Sequence, residues 1–232
     1  MLRRPDTARR VRRFTPAERW IHRTTAVLTG VCVFTAACLY LPVFAELVGR
    51  RALMVMLHEW SGLLIPVPTL LGLGSRAFRG DLGRLNRFGP YDRRWLRAAL
   101  RRDHRPGERP AGKFNAGQKI YAGWIAGAVL VMTGTGLLMW LTHLAPLVWR
   151  TSATFLHDWL ALAMGIVLAG HVAMAYGDPE ARRGMRTGSV EPGWARREHP
   201  LWRYEKEQRR TEEEQRQGEG RPEGSRRSED RL

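Results

Sequence analysis

Four of the seven histidines lie inside long apolar runs that are almost free of charge: His22, His58, His157 and His171. An ionisable side chain within lipid is costly, so each is a candidate for function. Taken singly, each could equally be a hydrogen-bonded or interfacial residue. Their depths argue for more. His22 enters the first run and His171 lies five residues before the end of the fourth, whereas His58 and His157 follow the starts of the second and fourth runs by about five or six residues. In an up-and-down bundle these positions make two pairs at matching depths, His22 with His171 and His58 with His157. His157 and His171 are fourteen residues apart, so on one helix they face about the same way, roughly 21 Å apart along the axis. Two flat metal cofactors stacked across a bilayer need about that spacing. Neutral imidazole suits iron, which points to two haems, each held by one histidine of the fourth helix and one of another.

The segments that must position these residues are four apolar stretches, roughly 20–41, 52–75, 118–141 and 152–176. Each has the roughly 20 residues needed to cross a bilayer core as a helix. Helices follow because backbone polar groups in lipid must be satisfied within the segment. Pro42 closes the first run, and Pro66 with Pro68 predicts a kink or broken turn in the second. Gly30, Gly62, Gly123, Gly127, Gly134, Gly136, Gly165 and Gly170 would permit close approach of helices or of a flat group. Cys32 and Cys38, six apart in the first run, read as small packing residues.

The formal net charge of +16 is not spread evenly. Eight arginines lie at or before Arg23, and Arg76 to Lys113 holds twelve Lys/Arg against four Asp/Glu. The short connectors 42–51 and 142–151 hold two and one. By the positive-inside rule both termini and the long loop face the cytoplasm. The fold class predicted is an all-α, integral membrane four-helix bundle with cytoplasmic termini. The first run is expected to stay uncleaved, since it is long and no small-residue cleavage site precedes Pro42. Basic residues flanking spans, without zinc-finger or base-stacking motifs, argue against nucleic acid as a partner. No C-x-x-C-H, G-x-S-x-G, H-E-x-x-H or P-loop occurs, so neither covalent haem attachment nor hydrolytic chemistry is indicated.

The expected organisation is a basic arm at 1–18, the spanning domain at 19–178, a docking segment at 179–204 and a disordered charged tail at 205–232. Trp194, Trp202 and Tyr204 would dock on a partner or on the membrane surface. His–acid–Trp occurs twice, as His58-Glu59-Trp60 and His157-Asp158-Trp159. The acids could orient the imidazoles, or acids and tryptophans could belong to the interface belt. His143 is a rival ligand at the end of the third run, while His104 in the loop and His199 in the tail are poorer candidates.

Three stretches carry a family likeness: Arg19-Trp20-Ile21-His22, then Lys113-Phe114-Asn115-Ala116-Gly117-Gln118-Lys119, then the fourth run with Gly184-Met185, Gly188-Ser189-Val190, Trp194-Ala195 and His199-Pro200-Leu201-Trp202. Over roughly residues 14–205 the chain resembles the gamma subunit of respiratory, membrane-bound formate dehydrogenase. That subunit is a di-haem cytochrome b, related to the cytochrome b subunits of nickel–iron hydrogenases. The arginine content of the loop departs from that family. The resemblance implies haem-iron ligation by His22 with His171 and by His58 with His157. It also implies a quinone (menaquinone or ubiquinone) held by Asn115, Gly117 and Gln118. Its implied partners are an iron–sulfur beta subunit and a molybdenum- or tungsten-containing alpha subunit, which performs the formate chemistry; this chain would not. Asn115 and Gln118 also have the spacing of a helix capping box, and both roles can hold at once. The other readings are a cytochrome b subunit of a different dehydrogenase, such as a hydrogenase or thiosulfate reductase, or a haem-free membrane anchor or transporter.

Overall fold

A computed structural model describes residues 10–103, 105, 107–143 and 145–203. His104, Tyr204 and the charged tail lie outside the described residues. The regular structure of the described chain is helical apart from one two-residue antiparallel strand pair, β1 (Val11–Arg12) with β2 (Ser189–Val190).

Four helical stretches are long and apolar enough to span a membrane. The first is α1 (Pro16–Tyr40). It starts where the sequence chemistry dictates: Thr15 accepts from the Glu18 amide, Glu18 accepts from the Thr15 amide, and proline occupies the first helical position. Pro42 ends it and opens the short α2 (Pro42–Val48), whose Val43 and Leu47 are exposed. The second stretch is broken, as Pro66 and Pro68 foretell. It consists of α3 (Arg51–Leu64) and α4 (Pro66–Gly72), since a proline at position 66 cannot donate to the preceding turn. The third is α7 (Ala116–Trp140), and the fourth is α8 (Leu147–Gly177). The 31 residues of α8 extend about 46 Å, well beyond a hydrocarbon core of about 30 Å.

The spans form two hairpins. α1 lies along α3 and α4, α7 lies along α8, and α3 meets α7 between them. Few span residues are buried, and those that are tend to be small or hydroxylated: Thr35, Cys38, Ser61, Ala128, Thr135 and Ala153. Of the eight glycines named from the sequence only Gly62, near Cys32, and Gly136, near His157, have a protein neighbour where a side chain would begin. The other six are not used for contact within the chain.

The arginine-rich stretch after α4 is not a plain loop. It holds α5 (Arg76–Leu85), capped by Ser75, and α6 (Pro90–Leu100), whose Asp92 caps the Gly89 amide at 2.8 Å. After α8 come α9 (Pro179–Thr187), capped by Asp178, then β2, then α10 (Pro192–Glu198). The chain end folds back onto its beginning. Gly188, at φ +90°, turns so that its carbonyl accepts from both Arg13 and Phe14. Val11, Val190, Trp194, Ala195 and Trp202 close into a small core.

This corrects one expectation. Trp194 and Trp202 are each only 6% exposed, so they face neither a partner nor the membrane; the chain's own arm takes the surface they offer. His199 lies in the same place. It is buried between these tryptophans, and its Nδ1 lies 2.6 Å from the Gly112 carbonyl.

Candidate functional site

The structure brings the four span histidines together two by two. At the end where both chain ends gather (the basic end), His22 of α1 and His171 of α8 have ring centroids 6.4 Å apart. At the opposite end, His58 of α3 and His157 of α8 are 6.2 Å apart. Two imidazoles bound to one metal on opposite sides sit at about this separation, since two metal–nitrogen bonds of about 2 Å and two half-rings sum to about 6 Å. His143 does not join either pair; it is exposed in the turn after α7.

The two pairs are held differently. At the opposite end each histidine has a threonine. Thr35 Oγ1 lies 3.0 Å from His58 Nδ1 and Thr135 Oγ1 lies 2.9 Å from His157 Nδ1. Each hydroxyl also bonds the carbonyl one turn back, on Val31 and Val131, at 2.8 Å in both cases. The Cys32 carbonyl lies 3.2 Å from the same His58 nitrogen. Trp60 meets Trp140 edge-on, and Tyr40 donates to Asp158 at 2.6 Å, tying α1 to α8. At the basic end His171 stacks on Tyr121, with centroids 4.7 Å apart and planes 10° from parallel. Arg19 and Arg23 both donate to the Arg186 carbonyl, at 2.8 and 2.7 Å.

Sequence reasoning missed the threonines. The signal was present: Thr35 precedes its histidine by 23 residues and Thr135 by 22, each following a valine four residues earlier. The repeated His–acid–Trp pattern is thus the visible half of a longer repeat.

Asn115, Gly117 and Gln118 open α7. Asn115 Oδ1 accepts from the Gln118 amide at 2.9 Å and Gln118 Oε1 accepts from the Asn115 amide at 3.0 Å. The capping box therefore exists and uses both side-chain oxygens, leaving the two NH₂ groups as donors. Gly117 has a packing role as well, since a side chain there would begin 3.1 Å from the Trp95 ring of α6.

This helix start is clamped by buried charge. Lys119 Nζ lies 2.9 and 2.8 Å from the two Asp92 oxygens and also reaches the Arg87 carbonyl and Tyr91. Lys113 pairs with Asp81 at 2.5 Å and lies 3.6 Å from Glu18. Burial and the neighbouring Glu18 carboxyl push Asp81 up to about 6, against the pull of Lys113. Burial pushes His199 down to about 3. Leu201 donates to the Ala111 carbonyl, so the tail braces the strap leading into α7.

Four helices apolar enough to span a membrane carry two facing pairs of imidazoles. Comparison with known proteins gives the family. Residues 13–185 match the prokaryotic cytochrome b561 family, and the chain belongs to that family. It is 25% identical over 207 residues to the "Formate dehydrogenase, cytochrome b556 subunit" of Haemophilus influenzae, covering 85% of this chain and 83% of that one. It is 28% identical over 110 residues to the "Formate dehydrogenase, nitrate-inducible, cytochrome b556(Fdn) subunit" of Escherichia coli K12, covering 46% of this chain and 51% of that one.

Membership implies haem b and a part in electron transfer. The residues present fit that group. Among the described residues no cluster of three or more His, Cys, Asp or Glu could hold a bare metal ion. His22 with His171 and His58 with His157 would supply histidine nitrogens to haem iron.

Proposed function

We propose that this chain is the cytochrome b subunit of a formate dehydrogenase-type complex, with two b-type haems and a quinone site. The observation that carries this reading is the pair of histidine couples, 6.4 and 6.2 Å apart, at opposite ends of one four-helix unit. His22 with His171 would hold one haem and His58 with His157 the other, and the haems supply one-electron transfer. The excess of arginine at the basic end supports a cytoplasmic position for that end, with both termini, in a bacterial inner membrane. An iron–sulfur beta subunit would then deliver electrons at the opposite end, from a molybdenum- or tungsten-containing alpha subunit that oxidises formate.

Quinone, menaquinone or ubiquinone, is the acceptor in this reading. Asn115 and Gln118 offer their NH₂ donors at the start of α7, and Gly117 lets Trp95 close over that turn. The buried pairs Lys119–Asp92 and Lys113–Asp81 fix the turn from below.

The test is a reduced-minus-oxidised spectrum of the purified protein, followed by quinol formation with a Gln118→Ala variant. The expected result is b-type absorbance from two haems per chain, kept in the variant, with quinone reduction lost. A wild-type protein without that absorbance would end the reading, and undiminished turnover in Gln118→Ala would move the quinone elsewhere.

A further inference from the structure

The bonds around His58 and His157 determine which nitrogen carries the proton. A threonine hydroxyl has one hydrogen, and Thr35 gives it to backbone: Val31 O at 2.8 Å, with Cys32 O at 3.1 Å. Toward His58 Nδ1, at 3.0 Å, its oxygen can therefore only accept. The Cys32 carbonyl, 3.2 Å from the same nitrogen, can also only accept. Both neighbours require N–H at Nδ1. The second hairpin repeats the device. Thr135 gives its hydrogen to Val131 O at 2.8 Å, with Met132 O at 3.1 Å, and accepts from His157 Nδ1 at 2.9 Å. In both rings Nε2 is left as the lone-pair atom.

The basic-end pair has no counterpart. Among the described residues no hydrogen bond reaches the ring of His22 or His171, and His171 is held by its stack on Tyr121. The surrounding charge differs too. Glu59 and Asp158 directly follow His58 and His157, whereas Arg19 and Arg23 flank His22 and converge on Arg186.

We propose that Thr35 and Thr135 are positioning residues that fix His58 and His157 as Nδ1–H tautomers and make this pair the lower-potential of the two haem sites. An acceptor on Nδ1–H raises the basicity of the ring and so favours ferric iron over ferrous. Nearby carboxylates act in the same direction, and the arginines at the other end act oppositely. One electron passing from the His58/His157 site to the His22/His171 site then oxidises the first and reduces the second, downhill. This rests on the haem assignment above.

The test is a potentiometric titration of the purified haem-containing protein, followed in the b-type absorbance. Wild type should resolve two components, and the lower should vanish in His58→Ala. Thr35→Val and Thr135→Val should each move the lower component upward, by roughly a tenfold change in the ferric-to-ferrous ratio, about 59 mV for one electron. Loss of that component alone in the valine variants also supports the role, provided Thr35→Ser and Thr135→Ser restore it. Unchanged potentials in the valine variants, serine variants that behave like valine, or loss of the higher component in His58→Ala would overturn the proposal. A wild type that binds no haem would instead defeat the functional reading itself.

Discussion

The basic end and the spans of this molecule are held by different chemistry. At the basic end the buried groups are charges and large aromatics: Arg13, Glu18, Asp81, Asp92, Lys119, Trp194, His199 and Trp202. Along the spans beyond their first turns at that end, the buried polar groups are hydroxyls, Thr35, Ser61 and Thr135, each bonded to a carbonyl of its own helix. A charge in hydrocarbon must be paired or displaced, so the spans use neutral groups wherever they need polarity. The assembly at the basic end, here the cap, keeps ion pairs whose partners are fixed by helix starts. The difference divides the labour: the spans position the histidines, while the cap positions the 111–119 segment that opens α7.

That division can be broken at the cap without touching the far histidine pair. The largest effect is expected from Asp92→Ala, which leaves Lys119 charged and unpaired in a site where its side chain is 3% exposed. Removing one partner of a buried pair costs about 3–5 kcal/mol. Thermal unfolding followed by tryptophan fluorescence should show the cap loosening early, with the spectrum of the His58/His157 site retained. Simultaneous loss of both sites would mean the cap and spans are one cooperative unit.

His199 gives the cap a pH dependence. Its folded pKa, about 3, lies below the ordinary value of 6.5. Between these values the unfolded chain binds the extra proton, so stability is full above pH 6.5 and falls as pH drops toward 3. The slope is about 1.4 kcal/mol per pH unit in that window. Asp81, pushed up to about 6, opposes this over part of the range, since its folded form binds the proton more readily. Proteolysis of the tail across pH 7 to 4 should accelerate with acid in wild type, and His199→Gln should flatten the profile; an unchanged profile in that variant would assign the effect elsewhere.

A smaller effect is expected at the joint between α6 and α7. Gly117→Ala must displace Trp95, whose ring would lie 3.1 Å from the new carbon. Overpacking of this kind costs about 1–3 kcal/mol. The change should raise the apparent KM for quinone more than it lowers haem content, and the reverse pattern would show that Gly117 serves the fold alone.

Much of this arrangement is legible in the sequence, and the exceptions are instructive. The depths of His22, His58, His157 and His171 follow from counting along four apolar runs, and the structure brings those residues together in the pairs so counted. The break before Pro66 and the Asn115–Gln118 box are local and equally readable. Thr35 and Thr135 were not foreseen, because a hydroxyl in an apolar helix becomes informative only when the register of the neighbouring helix is known. α5 and α6 were hidden by their arginines, although Pro90 followed two residues later by Asp92 is a helix-start signal. The tryptophans were misjudged for a longer-range reason: the surface that buries them includes the arm at 11–14, some 180 residues away in sequence.

The measurement that tests the account most directly is haem content per chain in four single variants. His22→Ala and His171→Ala should each leave one haem, the same one in both, and His58→Ala and His157→Ala should each leave the other. Two haems retained in any variant, or different haems lost within one pair, would contradict the pairing on which the account stands.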